Sequence, residues 1–108
     1  MQYVTLYEIA VSVDLGDAGH ALRTAESIDL ASLPPSRRAR VLIDVARAYA
    51  LRSQADQSTE ALLQAENLAP WPPRDRDRAV QVVRQLLVAD GQASGQLLAM
   101  AGRLGALS

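Results

Sequence analysis

The sequence predicts an all-α chain of 108 residues, built as three antiparallel helix hairpins stacked side by side, and three observations carry that expectation. Apolar residues recur at three-to-four spacing along the chain, the repeat of a helix with one buried face. Gly and Pro interrupt that repeat at intervals that suit six short helices. The third observation is composition: 49% of residues are hydrophobic, only 4% are aromatic, and Phe is absent. A core of Leu, Val, Ile and Ala suits closely packed helices better than a sheet, which draws on β-branched and aromatic faces.

The first helix is expected over residues 4–15, with Leu6, Ile9, Ala10 and Val13 on one face. Gly16 is suited to a left-handed helix end and Asp17 to capping the next helix, whose apolar positions are Ala21, Leu22, Ala25 and Ile28. Leu33-Pro34-Pro35-Ser36 stops one helix and starts another, because Pro disfavours helix in the residue before it and fits the first turn after it. The third helix carries Leu42, Ile43, Val45, Ala46 and Tyr49; the fourth begins near Asp56, carries Ala61, Leu62, Ala65 and Leu68, and ends before Pro70. Trp71, between Pro70 and Pro72, reads either as an exposed anchor for a partner or as a plug beneath the loop. The fifth helix runs from about Asp75 through Val80, Val83, Leu86 and Leu87 to a break at Asp90-Gly91. The sixth runs from Ser94 through Leu97, Leu98, Ala101 and Leu104. The hairpins are thus expected near residues 3–31, 35–69 and 74–106 of one domain spanning 1–108. The expected caps Asp17, Asp56 and Ser94 stand 39 and 38 residues apart, the mark of an internal structural repeat.

Charge and composition narrow the function. Eleven basic residues, all Arg, stand against 12 acidic ones for a net charge of −1, so no overall positive field favours a phosphate backbone, and duplex DNA should bind no better than non-specifically. Exclusive use of Arg fits GC-rich coding and points to a bacterial source. Absent Cys removes disulfides, thiolate metal sites and Cys nucleophiles. The first residues have no basic segment leading into an apolar run, and no stretch approaches the ~20 apolar residues that span a bilayer, so a cytoplasmic protein without membrane contact is expected. His20 reads as a surface residue, and Asp14 and Asp17 near Glu8 as a solvated side chain and a cap rather than paired catalytic carboxylates. The glycines assemble no phosphate loop. The run Arg74-Asp75-Arg76-Asp77-Arg78 alternates in sign, so its charges are expected to cancel locally. No catalytic constellation and no cofactor site emerges, and an enzyme is not expected.

Residues 39–70 align without gaps to the tetratricopeptide pattern: Leu42, Val45, Ala46 and Tyr49 take the large, large, small and aromatic places of its first helix, and Leu62, Ala65 and Pro70 the large, small and terminal-proline places of its second. Ser53 stands where the inter-helix Gly is usual, Ser58 where Ala is usual, and in the next hairpin Arg84 where a small residue is expected. The stretches Val11-Ser12-Val13-Asp14-Leu15-Gly16-Asp17-Ala18-Gly19-His20-Ala21-Leu22, Leu33-Pro34-Pro35-Ser36-Arg37-Arg38-Ala39-Arg40 and Leu42-Ile43-Asp44-Val45-Ala46-Arg47-Ala48-Tyr49 resemble the C-terminal repeat domain of actinobacterial helix-turn-helix transcriptional regulators. That resemblance implies a short tetratricopeptide-like α-solenoid acting as a regulatory or interaction module, the DNA-reading domain lying outside this chain.

In repeats of this kind the first helix of each pair lines a concave groove. The partner-binding residues implied are Tyr7, Val11 and Asp14 on the first hairpin and Arg40, Ile43, Asp44, Arg47 and Leu51 on the second. Apolar residues flanked by Arg and Asp suit a protein or peptide whose carboxylate meets Arg47, or self-association; a segment of the parent protein filling the groove, or a small ligand sensed there, are the alternatives. On this reading Leu42, Val45 and Tyr49 carry the core, Tyr49 wedging adjacent hairpins, and Arg47→Glu changes folding by no more than about 0.5 kcal/mol.

Overall fold

The described residues form six α-helices and one 3-10 turn, with no strand among them. The computed structural model describes residues 2–89 and 93–107, so the expected break at Asp90-Gly91 lies outside the described residues. The helices are α1 (Gln2–Asp14), α2 (Ala18–Glu26), α3 (Pro35–Leu51), α4 (Ala55–Glu66), α5 (Pro73–Ala89) and α6 (Gly95–Leu104), with the 3-10 turn Leu30–Ser32 before α3. The Cα radius of gyration is 13.0 Å, the ~13 Å typical of a compact domain of this length, so the helices close around shared cores rather than stretching out.

Local chemistry sets most of the boundaries. Gly16 takes φ +81°, and the Asp17 carboxylate then accepts from the His20 backbone N–H at 3.1 Å to cap α2. Pro35 opens α3 in the first turn, where its missing N–H costs nothing. Ser94 Oγ accepts from the Leu97 N–H at 3.1 Å to cap α6, which ends on left-handed Gly105 at φ +71°. The fourth helix departs from expectation: it starts one residue before Asp56, with Gln54 in the cap position, and Gln54 makes no side-chain capping bond. Asp56 sits instead in the first turn, where its charge meets the positive end of the helix dipole. Ser53 adopts φ +58°, the conformation for which the repeat pattern ordinarily uses Gly.

The third helix is the hub, packing against α1, α2, α4 and α5. Its Val41 and Ala48 join Ile9, Val13, Ala18, Ala21 and Leu33 in one apolar cluster. Its Leu42, Ile43, Ala46 and Ala50 join Leu62, Val83, Leu97 and Met100 in the other. Ile43 therefore belongs to the core, 1% exposed, and not to a groove. Residues 43, 47 and 51 are four apart, whereas the helix repeats every ~3.6, so the stripe rotates about α3 and Ile43, at its start, lies off the side held by Arg40, Arg47 and Leu51. Val45 and Tyr49 are only half buried. The small side chains of Ala46, Ala48 and Ala50 are buried instead, each 8% exposed or less.

Polar bonds tie the helices together. Ser58 Oγ, fully buried, donates to the Ala46 carbonyl at 2.7 Å, so the residue where Ala is usual joins α4 to α3. Trp71 packs on the larger cluster and donates from Nε1 to the Ala65 carbonyl at 2.8 Å, which makes it the plug beneath the loop. Arg38 donates to the carbonyls of Leu30 and Leu33, both at 3.0 Å, fastening the 3-10 turn. Arg76 donates to Leu104 O at 2.8 Å and Arg84 to Ala106 O at 3.4 Å, near the end of α6. No described helix is long and apolar enough to cross a membrane.

Candidate functional site, a cationic channel along three helices

Alternate helices meet along one side of the molecule. Leu6, Tyr7, Ala10, Val11 and Asp14 of α1, Arg37 and Arg40 of α3, and Arg74 and Arg78 of α5 enclose a cleft of about 530 Å³. A hollow of about 290 Å³ adjoins it at the N-terminal ends of α3 and α5, sharing Arg37, Arg40 and Arg74. A third, of about 250 Å³, adjoins it at the other end, shares Asp14 and Arg78, and adds Arg47, Leu51, Gln81 and Gln85. Together they form a channel running beside α3 from Arg37 to Leu51, ~21 Å at 1.5 Å per residue.

Six of the expected partner-binding residues line this channel: Tyr7, Val11, Asp14, Arg40, Arg47 and Leu51. Tyr7 is 73% exposed and Leu51 47%, so the channel presents large apolar surface to solvent. Ile43 is withdrawn into the core, and Asp44 lies beneath the surface, 2% exposed. The fifth helix contributes residues that the sequence reading passed over. Alternation of sign along Arg74-Asp75-Arg76-Asp77-Arg78 does not cancel these charges in space, because a helix turns neighbours to different sides. Arg74 and Arg78, one turn apart, line the cleft; Asp75 is buried at 4% exposure; Arg76 reaches Leu104. The signal was present as the i, i+4 spacing of the two arginines once the segment is placed on a helix.

Arg47 lines the channel while bonded to two carboxylates of its own chain. It donates to Asp44 Oδ1 at 2.8 Å and to the Asp14 carboxylate, joining α1 to α3 beside the channel. Burial alone pulls the Arg47 guanidinium toward deprotonation, but its hydrogen bonds with Asp14 and Asp44 outweigh it and hold the charge firmly. Burial pushes the Asp44 carboxyl above its ordinary value of 3.8, and the Arg47 bond only partly offsets this. Asp75, in the first turn of α5, sits 3.6 Å from Arg40 Nε. Along the channel five arginines, at 37, 40, 47, 74 and 78, thus face three aspartates, at 14, 44 and 75. The surplus is positive, although the whole chain carries −1.

The opposite side of α3 carries a different surface. Leu42, Val45, Tyr49 and Ala61 floor a cleft of about 390 Å³ rimmed by Asp56 and Glu60. Tyr49 is a wall of this open cleft, not a buried wedge between hairpins. Elsewhere, His20 Nε2 lies 2.7 Å from Glu8 Oε1 at the surface, and among the described residues no group of three His, Cys, Asp or Glu side chains is placed to hold a metal ion. Compared with models of known protein families, with curated proteins and with solved structures, the sequence gives no match.

Proposed function

We propose that this chain is a non-catalytic binding module of the tetratricopeptide-like kind, whose channel along α1, α3 and α5 takes a segment of a partner protein. The observation that supports it is that α1, α3 and α5 line three hollows that adjoin through shared residues; alternate helices lining one groove is how stacked hairpins recognise a partner. Exposed Tyr7 and Leu51 supply apolar anchors, and the arginines supply directional donors. The resemblance in residues 11–49 adds a setting, the regulatory part of a bacterial transcriptional regulator in the cytoplasm.

A second reading has one observation in its favour: the cleft of about 530 Å³ falls within the ~300–1,000 Å³ typical of small-molecule sites. The absence of Cys permits a direct test, since one introduced Cys is the only one. Peptides selected from a random library on the wild-type chain are expected to lose binding when Tyr7→Cys carries a bulky maleimide, and to keep it when Gln57→Cys carries the same group on the opposite cleft. Loss at Gln57 with retention at Tyr7 would move the binding surface away from the channel. A library that yields no binder, with small molecules instead raising stability by ~2.7 kcal/mol at a hundred times their dissociation constant, would favour the sensor reading.

A further inference from the structure

The geometry points to a specific chemistry for the channel's occupant: we infer that it is an extended peptide carrying acidic side chains at alternate positions, laid with those side chains against Arg37, Arg40, Arg74 and Arg78. This rests on the channel being the binding surface and goes further, to what the surface selects. Three observations support it.

The first is charge. The arginine surplus is concentrated at one end of the channel, around the α3 and α5 N-termini, whose dipoles add to the same positive potential. At the other end Arg47 is neutralised by Asp14 and Asp44, and the walls are Gln81, Gln85 and Leu51. The channel is therefore polar along its length: where α3 and α5 begin, Arg37, Arg40, Arg74 and Arg78 outnumber Asp75, and where α3 ends Arg47 carries no surplus over Asp14 and Asp44.

The second is register. Arg74 and Arg78 are four residues apart on α5, a rise of ~6 Å, and Arg37 and Arg40 three apart on α3, ~4.5 Å. Side chains on one face of an extended peptide recur every two residues, ~6.6 Å, within the reach of flexible arginine stems. Two adjacent carboxylates point to opposite faces of an extended chain, so only one of them meets the arginines. Alternate spacing thus delivers two carboxylates where consecutive spacing delivers one.

The third is the wall. Leu6, Tyr7, Ala10 and Val11 line the same cleft of about 530 Å³ as the four arginines, so a peptide with one apolar side chain beside its acidic ones finds a surface for each.

The test uses three heptapeptides, acetylated and amidated so that no terminal charge contributes: Glu-Ser-Glu-Ser-Leu-Gln-Gln, its isomer Glu-Glu-Ser-Ser-Leu-Gln-Gln, and the neutral Gln-Ser-Gln-Ser-Leu-Gln-Gln. Fluorescence anisotropy with the full chain is expected to show the alternate peptide binding at least tenfold tighter than the neutral one and several-fold tighter than the isomer. That advantage should shrink as salt rises from 50 to 300 mM. Arg74→Gln with Arg78→Gln should abolish the preference; if that double variant is unfolded by circular dichroism, exposed Arg74→Gln alone should reduce it at least threefold. Equal binding of all three peptides would overturn the charge register while leaving the channel a binding groove. Failure of all three to bind would count against both. Equal affinity of the alternate and consecutive isomers would overturn the extended register, and sodium pyrophosphate binding as tightly as the peptide would make this a small-anion site instead.

Discussion

Asp14, Asp44 and Arg47 show how strongly a side chain's surroundings decide what it does. On sequence spacing alone Arg47 is a cation offered to a partner. In the structure it is held by two carboxylates, one exposed on α1 and one buried on its own helix. Arg47→Glu would place a third carboxylate beside them and leave Asp44 buried without its donor. We therefore expect it to destabilise the fold by about 2 kcal/mol or more in chemical denaturation, not by 0.5 or less. A midpoint unchanged from wild type would show that the Arg47 bridge contributes nothing. Asp44 adds a pH signature. Its folded-state pKa is raised, chiefly by burial, so the folded protein holds this proton more tightly than the unfolded chain. The sign follows: Asp44's contribution to stability is greatest below its ordinary 3.8 and is lost as pH rises through the raised value. Asp44→Asn, which mimics the protonated form, should accordingly gain stability relative to wild type between pH 4 and pH 7. Denaturant midpoints that shift in parallel across that range would show that the carboxyl titrates alike in both states.

At the scale of the element, boundaries were legible wherever one residue's chemistry decides them. Gly16 with Asp17, Pro34 with Pro35, and Ser94 each act through their own backbone or side chain, and each marks a helix end in the structure. The start of α4 was not legible in the same way. Asp56 offered the better capping side chain, but the chain leaves α3 through left-handed Ser53 and the tight turn in which Gln54 N–H reaches Tyr49 O at 2.9 Å, which fixes the cap at Gln54. Gln54 cannot cap efficiently, and its Oε1 is buried without a hydrogen-bond partner. Replacing it with Ser should supply the missing cap and remove the unsatisfied atom, raising stability by about 1 kcal/mol. Thermal unfolding checks this, and a lowered melting temperature would show that the Gln54 side chain packs to more benefit than its unpaired oxygen costs. The channel was legible in its α1 and α3 residues because amphipathic spacing separates a helix's sides. Its α5 wall was missed because the Arg74–Arg78 segment was read as a linear charge pattern, and only helical geometry parts its arginines from its aspartates. Ile43 erred in the opposite sense: a spacing of four looks like a stripe, yet slow rotation about α3 carries its start into the core.

Across the whole molecule, α3 separates two unlike surfaces, the arginine-lined channel on one side and the apolar cleft rimmed by Asp56 and Glu60 on the other. The charges of the chain nearly balance in total, so this opposition exists only through folding. The packing divides along a different line: one apolar cluster gathers α1, α2 and part of α3, the other the rest of α3 with α4, α5 and α6. The channel lies between α1 and α5, elements of different clusters, both packed on α3. The bridge from Asp14 to Arg47 ties α1 to α3 beside the channel. The most direct measurement of the central claim is amide chemical-shift mapping of the isotopically labelled chain with a peptide selected on it. The account predicts that the largest shifts fall at Val11, Arg40, Leu51, Arg78 and Gln81, along α1, α3 and α5, with Val45, Gln57, Glu60 and Gln64 nearly unmoved. Shifts concentrated at those last four residues, with the channel silent, would contradict it.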